Sequence, residues 1–196
     1  MSAKPDSTLL YRLAESQAGY FTAPQASTAG YSRQRLSYHV RRGRLMRIAH
    51  GLYRHTLYPA SPFEDLHAAL LRTGKGSVIS HDSALAVYGL SDLLPAEIHV
   101  TIPRTSSRRH AGLRLHTRRI APNEITHREG LRVTTVARTI ADIASSGAAA
   151  EHVIQAIEEA IQRGLAQAEE FEDQGRRRGG RVAALIGQAL LKAGRA

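Results

Sequence analysis

Arg33 and Gln34 carry flat side chains that can form two parallel hydrogen bonds with a planar partner. A guanidinium group matches the edge of guanine in this way, and a glutamine amide matches the edge of adenine. Ser37 and Tyr38 follow at a spacing that returns to the same side of a helix. These four residues form a predicted base-reading set.

A second group of basic residues suits contact with phosphate, because guanidinium groups pair readily with phosphate oxygens. Residues 1–58 contain nine Lys/Arg and two Asp/Glu, a net charge of +7 out of +10 for the whole chain. Such a concentration of charge favours a polyanionic partner. The predicted phosphate or wing contacts are Arg35, Arg41, Arg42, Arg44, Arg47, His50 and Arg54.

Capping and turn signals predict the elements that must position these side chains. Thr22 and Gln25 have the spacing of a capping box at the start of a short helix. Gly30 supplies a turn, and Ser32 is a suitable N-cap for a second helix. The sequence therefore predicts two capped helices joined by a tight turn.

The second of these helices is followed by a predicted hairpin. Leu36 and Val40, four residues apart, would face the core and leave the base-reading set on the outer face. Residues 45–48 and 52–54 can pair across a short turn. A helix-turn-helix followed by a wing has this order, so residues 1–58 are predicted to be a winged helix-turn-helix domain that binds double-stranded DNA.

The remainder of the chain is predicted to be a mixed α/β domain over residues 59–196, which makes the whole protein α+β. Residues 59–62 resemble a linker, and helices and strands then alternate as far as about residue 147. A helical C-terminal tail occupies about 148–196, where the glycine- and arginine-rich residues 175–180 are expected to interrupt an acidic helix.

The order of several motifs resembles AbiEi-type antitoxins of bacterial abortive-infection systems, over about residues 8–145. In the N-terminal domain the resemblance rests on Gly30–Arg33 and on the Arg-Gly-Arg-Leu and Gly-Leu-Tyr-Arg segments that follow. In the next domain it rests on residues 63–65, 80–85, 88–90, 98–101 and 138–142.

This resemblance implies a type IV antitoxin that represses its own operon by binding operator repeats through the winged helix. It further implies a functional partner, a nucleotidyltransferase-type toxin, that is counteracted without a stable complex. One alternative is a stand-alone winged-helix regulator whose second domain dimerises or senses a ligand. Another is a basic, metal-dependent nuclease or RNA-processing enzyme.

A second basic block runs from Arg104 to Arg138, with nine Lys/Arg and three Asp/Glu in residues 104–147. This block could hold a nucleic-acid backbone or a phosphate group. Scattered, solvated arginines explain the same composition equally well. The residue types alone leave both interpretations open.

Catalytic and metal sites are not expected. The adjacent residues His81, Asp82 and Ser83 would point in different directions, whereas a catalytic triad needs convergence in space. His99 and His116 are expected on neighbouring strands as ordinary strand histidines, because a metal needs further ligands. We therefore predict no catalytic residues, no metal, no cofactor and no enzymatic activity.

Composition bounds the class of protein. The chain has 196 residues, of which 42% are hydrophobic, enough for a packed core, and it has no cysteine. The N-terminus lacks the apolar core of a signal peptide, and no apolar run approaches the roughly 20 residues that span a bilayer. A cytoplasmic protein with no membrane partner is the expectation.

Overall fold

A computed structural model describes residues 4–91, 95–103 and 110–193. The chain divides into two compact units, Met1–Lys75 and Gly76–Ala196. The sequence placed the boundary between residues 58 and 59. The division lies later because the helix that ends at Thr73 packs against the sheet of the first unit.

The first unit is a winged helix-turn-helix, as predicted. Its three strands form an antiparallel sheet in the order β1-β3-β2, and a bulge lies between Arg47 and Ala49. The elements are α1 (Ser7–Glu15), β1 (Tyr20–Thr22), α2 (Ala23–Thr28), α3 (Arg33–Arg41), β2 (Leu45–Ala49), β3 (Leu52–His55) and α4 (Glu64–Thr73).

The predicted helix caps of this unit are confirmed. The Thr22 side chain accepts a hydrogen bond from the Gln25 backbone, and the Gln25 side chain accepts one from the Thr22 backbone at 2.8 Å. Ser32 Oγ accepts a hydrogen bond from the Arg35 backbone at 3.2 Å. These bonds satisfy first-turn amides that have no partner within the helix, and so they fix where α2 and α3 begin.

Phe21 lies at the centre of the first core, with none of its surface exposed. Its ring stacks against Tyr53, with ring centroids 5.9 Å apart. Leu10 is buried against the same cluster. Leu10 and Ala14, four residues apart, form the buried stripe of α1, whereas Leu9 is 39% exposed.

The second unit contains a five-stranded mixed sheet in the order β6-β5-β4-β8-β7. Helices and strands are mixed along this unit, as predicted. No helix among the described residues is both long and apolar enough to cross a membrane. The elements are β4 (Val78–Ile79), α5 (His81–Tyr88), β5 (Ile98–Thr101), β6 (Leu113–His116), β7 (Ile125–Arg128), β8 (Leu131–Thr134), α6 (Val136–Ser145), α7 (Ala150–Gln162), α8 (Ala168–Arg178) and α9 (Gly180–Ala193).

The C-terminal tail is helical, as predicted, but α8 continues through Gly175 instead of breaking there. A Cβ atom at this position would lie 3.5 Å from Cα of Ala183 on α9. The glycine therefore allows close approach of two helices, a use that outweighs its low helix propensity. The helix ends at Gly179, whose φ of 62° is left-handed.

A buried ion network anchors α6 within the second unit. Arg138 donates to Glu124 Oε2 at 2.6 Å and to Asp142 Oδ2 at 2.8 Å, and all three residues are at most 8% exposed. Arg178 on α8 donates to the other oxygen of Asp142 at 2.7 Å. Gln174 donates to Glu124 Oε1 at 3.0 Å. The network thus ties α8 and the turn before β7 to α6.

Burial by itself would raise the pKa of Glu124. The hydrogen bonds from the Ala121 backbone, Gln174 and Arg138 outweigh that effect and hold its pKa below the usual value of 4.5. A carboxyl group whose pKa is lower in the folded state stabilises the fold above its unfolded pKa. That stabilisation is lost as the pH falls through the folded pKa.

We therefore expect Glu124→Gln to lower the free energy of unfolding by about 1–3 kcal/mol at pH 7. The difference from the wild type should shrink as the pH falls below 4.5. Urea unfolding of both proteins across this range measures it. Glu151→Gln, at an exposed position on α7, is the control and should change the free energy by less than about 0.5 kcal/mol. A difference that stays constant with pH contradicts the assigned role of the carboxylate.

Candidate nucleic-acid interface

Leu36 sets the rotation of α3. Its side chain is 1% exposed and lies in the core cluster with Phe21 and Leu45, and Val40 packs against the same cluster. A helix with these two positions turned inward must present its opposite side to solvent. The outer face of α3 is therefore fixed by hydrophobic packing.

The structure brings the predicted base-reading residues together on this outer face. All four are exposed, and Tyr38 keeps 45% of its surface accessible. The Arg42 guanidinium lies 5.4 Å from the centre of the Tyr38 ring, within the range of a cation–π contact. The residues of the exposed face are Arg33, Gln34, Ser37 and Tyr38, with Arg41 one turn beyond.

The hairpin of β2 and β3 carries the wing contacts. Arg44, Arg47 and His50 are exposed, and Nη2 of Arg47 lies 3.3 Å from Nδ1 of His50. Arg35, on the first turn of α3, is also exposed. These side chains have the chemistry and the exposure that phosphate contacts require.

Met46 and Ile48 on β2 are also exposed, at 39% and 44%. Neither residue belongs to the predicted wing contacts, although alternate positions on an edge strand often share one face. Their apolar side chains extend the surface of the wing. In DNA complexes such side chains contact sugars or thymine methyl groups.

The charge of this region is unbalanced. No Asp or Glu occurs between Glu15 and Glu64, whereas seven arginines do. The surrounding potential also acts on His39, whose pKa is lowered by burial first and then by the nearby charges of Arg44 and Arg35. A surface with this excess of positive charge is suited to a polyanion.

Arg54 is the exception, and its predicted role as a wing phosphate contact is wrong. It is 7% exposed and donates to the Pro59 carbonyl oxygen at 3.1 Å and to Glu64 Oε2 at 2.7 Å. Its guanidinium also lies 5.4 Å from the ring centre of Tyr20. The residue lies on the central strand of the sheet, where α4 supplies its counter-ion, and so it stabilises the unit from inside.

The comparisons with known proteins agree with this geometry. Residues 9–55 match a family model described as transcriptional regulator, AbiEi antitoxin. Residues 9–55 of the N-terminal unit are thus similar to this family. The matched segment begins within α1, includes the whole of α3 and ends with β3, so it contains every residue of the candidate interface. The resemblance noted in the sequence is thereby confirmed for the helix-turn-helix and wing.

A solved structure shares the fold over nearly the whole chain. The crystal structure of the RV2827C protein from Mycobacterium tuberculosis superimposes with a TM-score of 0.62 over 98% of this chain and 80% of its own, at 14% sequence identity. At this identity the likeness concerns the fold alone. A comparison with curated protein sequences gives no significant match.

The second basic block lies beyond the segment that matches the AbiEi family. Within it, Arg114, Arg118 and Arg119 are exposed. The guanidinium of Arg128 lies 5.3 Å from the ring centre of Tyr88. Arg138 is buried in the ion network and so is not a surface contact. Arg104 and residues 105–109 lie outside the described residues.

The side chains of His81 and Ser83 engage different partners. Nδ1 of His81 lies 3.0 Å from Ser80 Oγ, whereas Ser83 Oγ accepts a hydrogen bond from the His99 backbone at 2.8 Å. His99 and His116 lie on the paired strands β5 and β6, as expected. The sequence did not reveal that His81 joins them. The three side chains form a group that could hold a metal ion.

We expect replacement of Arg54 by methionine to destabilise the N-terminal unit by about 1–3 kcal/mol, because Glu64 and two backbone carbonyl groups lose their donor. Arg47→Met is the matched control, since Arg47 is exposed and should contribute less than about 0.5 kcal/mol. Chemical denaturation followed by far-UV circular dichroism distinguishes the two. Equal stability of both variants contradicts the structural role of Arg54.

Proposed function

We propose that this protein is a DNA-binding antitoxin that represses the operon encoding it and its toxin. The winged helix binds double-stranded operator repeats, with α3 in the major groove and the hairpin on the adjacent backbone. The functional partner is a nucleotidyltransferase-type toxin, counteracted without a stable complex.

The observation that carries this proposal is the exposed face of α3. Arg33, Gln34, Ser37 and Tyr38 are accessible together, on a helix whose rotation is fixed by Leu36. Exposed guanidinium groups border that face, and no carboxylate occurs between Glu15 and Glu64 to compete for them. A recognition helix requires both properties, because bases are read at its outer face and phosphates hold it in register.

The antitoxin part of the proposal is supported by the family match to transcriptional regulators described as AbiEi antitoxins. In the second unit, Arg138 and Asp142 form a buried ion pair within α6, which gives these motif residues a role in the fold. The second unit would then carry the antitoxin activity, and the first the repression.

Base reading should depend on Arg33 and Gln34. In the full chain, Arg33→Ala and Gln34→Ala should each lower affinity for the operator by about 1–3 kcal/mol, while affinity for scrambled DNA falls much less. Competition binding with the two DNAs measures this difference. Equal losses on both DNAs would show that these residues do not select sequence.

Phosphate contacts should appear in the salt dependence of binding. Arg47→Ala should reduce the slope of log affinity against log salt by about 1, and Arg41, Arg42 and Arg44 should behave alike. Arg54→Met is the internal control, because a buried arginine contributes no counter-ion release. The comparison is made at a temperature where that variant is folded. Wild-type affinity that is insensitive to salt would exclude DNA as the partner of this surface.

The two activities should separate without truncation. A full-chain Arg33→Ala/Gln34→Ala variant should lose repression of a reporter fused to its operator, yet still rescue growth from the toxin of the neighbouring reading frame. Loss of rescue at equal expression would contradict the division of labour between the units. Rescue by neither protein would favour a stand-alone regulator, and co-elution of chain and toxin at micromolar concentration would indicate direct neutralisation.

A further inference from the structure

Three histidines from separate segments of the second unit meet near the end of its sheet. His81 is the first residue of α5, His99 lies on β5, and His116 ends β6. One potential ligand nitrogen from each lies within 4.8 Å of the others. Within the described ranges of the chain, no other group of three His, Cys, Asp or Glu side chains approaches so closely.

The rings are packed tightly and lie mostly out of solvent. His81 and His116 stack with ring centroids 3.5 Å apart and planes 12° from parallel. His99 lies 5.7 Å from the first ring and 5.2 Å from the second. His81 is 4% and His99 is 7% exposed, and His116 is half-buried. Purely apolar packing would not require three imidazoles at this place.

Two of these rings have a buried nitrogen that lacks a hydrogen-bond partner in the described part of the chain. They are Nδ1 of His99 and Nε2 of His116. Buried polar atoms without a partner are rare in folded proteins, because the lost contact with water is not replaced. A bound ion that accepts both lone pairs would remove this cost.

The electronic state of the rings is suitable for ligation. Burial lowers the pKa of His81 to about 3 and that of His116 to about 4. Burial also lowers the pKa of His99, against an opposing effect of Asp82. Each imidazole is therefore neutral near pH 7, the form that offers a lone pair to a metal.

The surroundings supply the further groups that a metal site needs. Asp82 Oδ2 lies 3.3 Å from Nδ1 of His99 without forming a well-aligned hydrogen bond, and its side chain is 49% exposed. Two ligands of one tetrahedral ion with bonds of 2.0–2.1 Å are about 3.3 Å apart. Nδ1 of His81 lies 3.0 Å from Ser80 Oγ, which accepts a hydrogen bond from Thr101 at 2.8 Å. In the tautomer that can bind a metal through Nε2, the Nδ1–H group of His81 donates to Ser80 Oγ. This leaves Nε2 of His81 to bind the ion.

We propose that His81, His99 and His116 bind one divalent transition-metal ion, with Zn²⁺ as the preferred ion and Asp82 at the fourth position. Three imidazoles select Zn²⁺ and its neighbours over Mg²⁺ and Ca²⁺, which prefer oxygen ligands. The lone pairs of two stacked rings lie in parallel planes, so binding of one ion requires the rings of His81 and His116 to tilt toward a common point. The left-handed backbone of His81, with φ of 52°, places its ring in the cluster.

The ion would join the start of α5 to β5 and β6. Since a ligand that binds only the folded state stabilises it, unfolding of the second unit should depend on the metal concentration. The site lies outside the segment that matches the AbiEi family and does not depend on DNA binding. The inference can therefore succeed or fail independently of the proposed function.

The test uses the full chain without an affinity tag, treated with chelator and then titrated with ZnCl₂ or CoCl₂. We expect one Zn²⁺ per chain with a dissociation constant in the micromolar range or tighter, and a rise in Tm of several degrees. Co²⁺ should give the visible absorption of a four-coordinate site with nitrogen ligands. MgCl₂ at the same concentration should change neither signal.

Substitutions identify the ligands. His99→Gln and His116→Gln should each reduce Zn²⁺ affinity at least tenfold, and Asp82→Asn should reduce it about 10-fold or more while leaving the three rings in place. The matched control is His152→Gln, at an exposed position on α7, which should bind as the wild type does.

A measurement on the wild-type chain avoids the risk that a buried substitution unfolds the protein. Zn²⁺ should shift the ring-nitrogen NMR signals of three histidines together, with saturation at one equivalent. Absence of saturable binding overturns the proposal. So does binding that shifts other histidines, or binding that His99→Gln leaves unchanged while His152→Gln abolishes it.

Discussion

The burial of Leu36 is the contact on which the candidate interface depends. Leu36 is buried in the core, and Val40 packs beside it. Together they determine which side of α3 faces the solvent. Rotation of α3 by one residue would turn Arg35 or Ser37 toward the core in place of Leu36 and disrupt the exposed set. The energy that holds this orientation comes from the apolar contacts of Leu36 and Val40 with the core cluster.

The arginines of this chain are either exposed to solvent or buried, and their charge by itself does not show which environment each occupies. Those on α3 and β2 remain in solvent, in a stretch of sequence that contains no Asp or Glu. Arg54 and Arg138 are buried, and each is held by a carboxylate and by backbone oxygen atoms. A buried guanidinium without such partners would be strongly unfavourable. Each of these two residues therefore serves the fold of its own unit.

The histidines of the second unit show how topology creates a cluster that linear order conceals. His99 and His116 are brought together because β5 and β6 run parallel, with Thr101 opposite His116 in the register. His81 lies just after β4, and β4 pairs with the other side of β5. Three neutral rings then share one buried space. Their separation in sequence, 18 and 17 residues, bears no relation to any metal-binding motif.

Much of the N-terminal unit was determined by the sequence itself. Capping residues such as Thr22 and Ser32 act on their own helix, and the spacing of Leu36 and Val40 follows from the helical period, so local rules were sufficient. The mixture of helices and strands in the second unit also follows from local patterns. Strand β7 is less clear, because Ile125–Arg128 do not alternate between apolar and polar residues. Only the tertiary structure decided the burial of Arg54, the passage of α8 through Gly175, the extension of the first unit to Lys75 and the meeting of His81 with His99 and His116. Each of these depends on contacts between residues far apart in the chain, and no property of a residue or of its neighbours in sequence specifies which distant group will be placed against it.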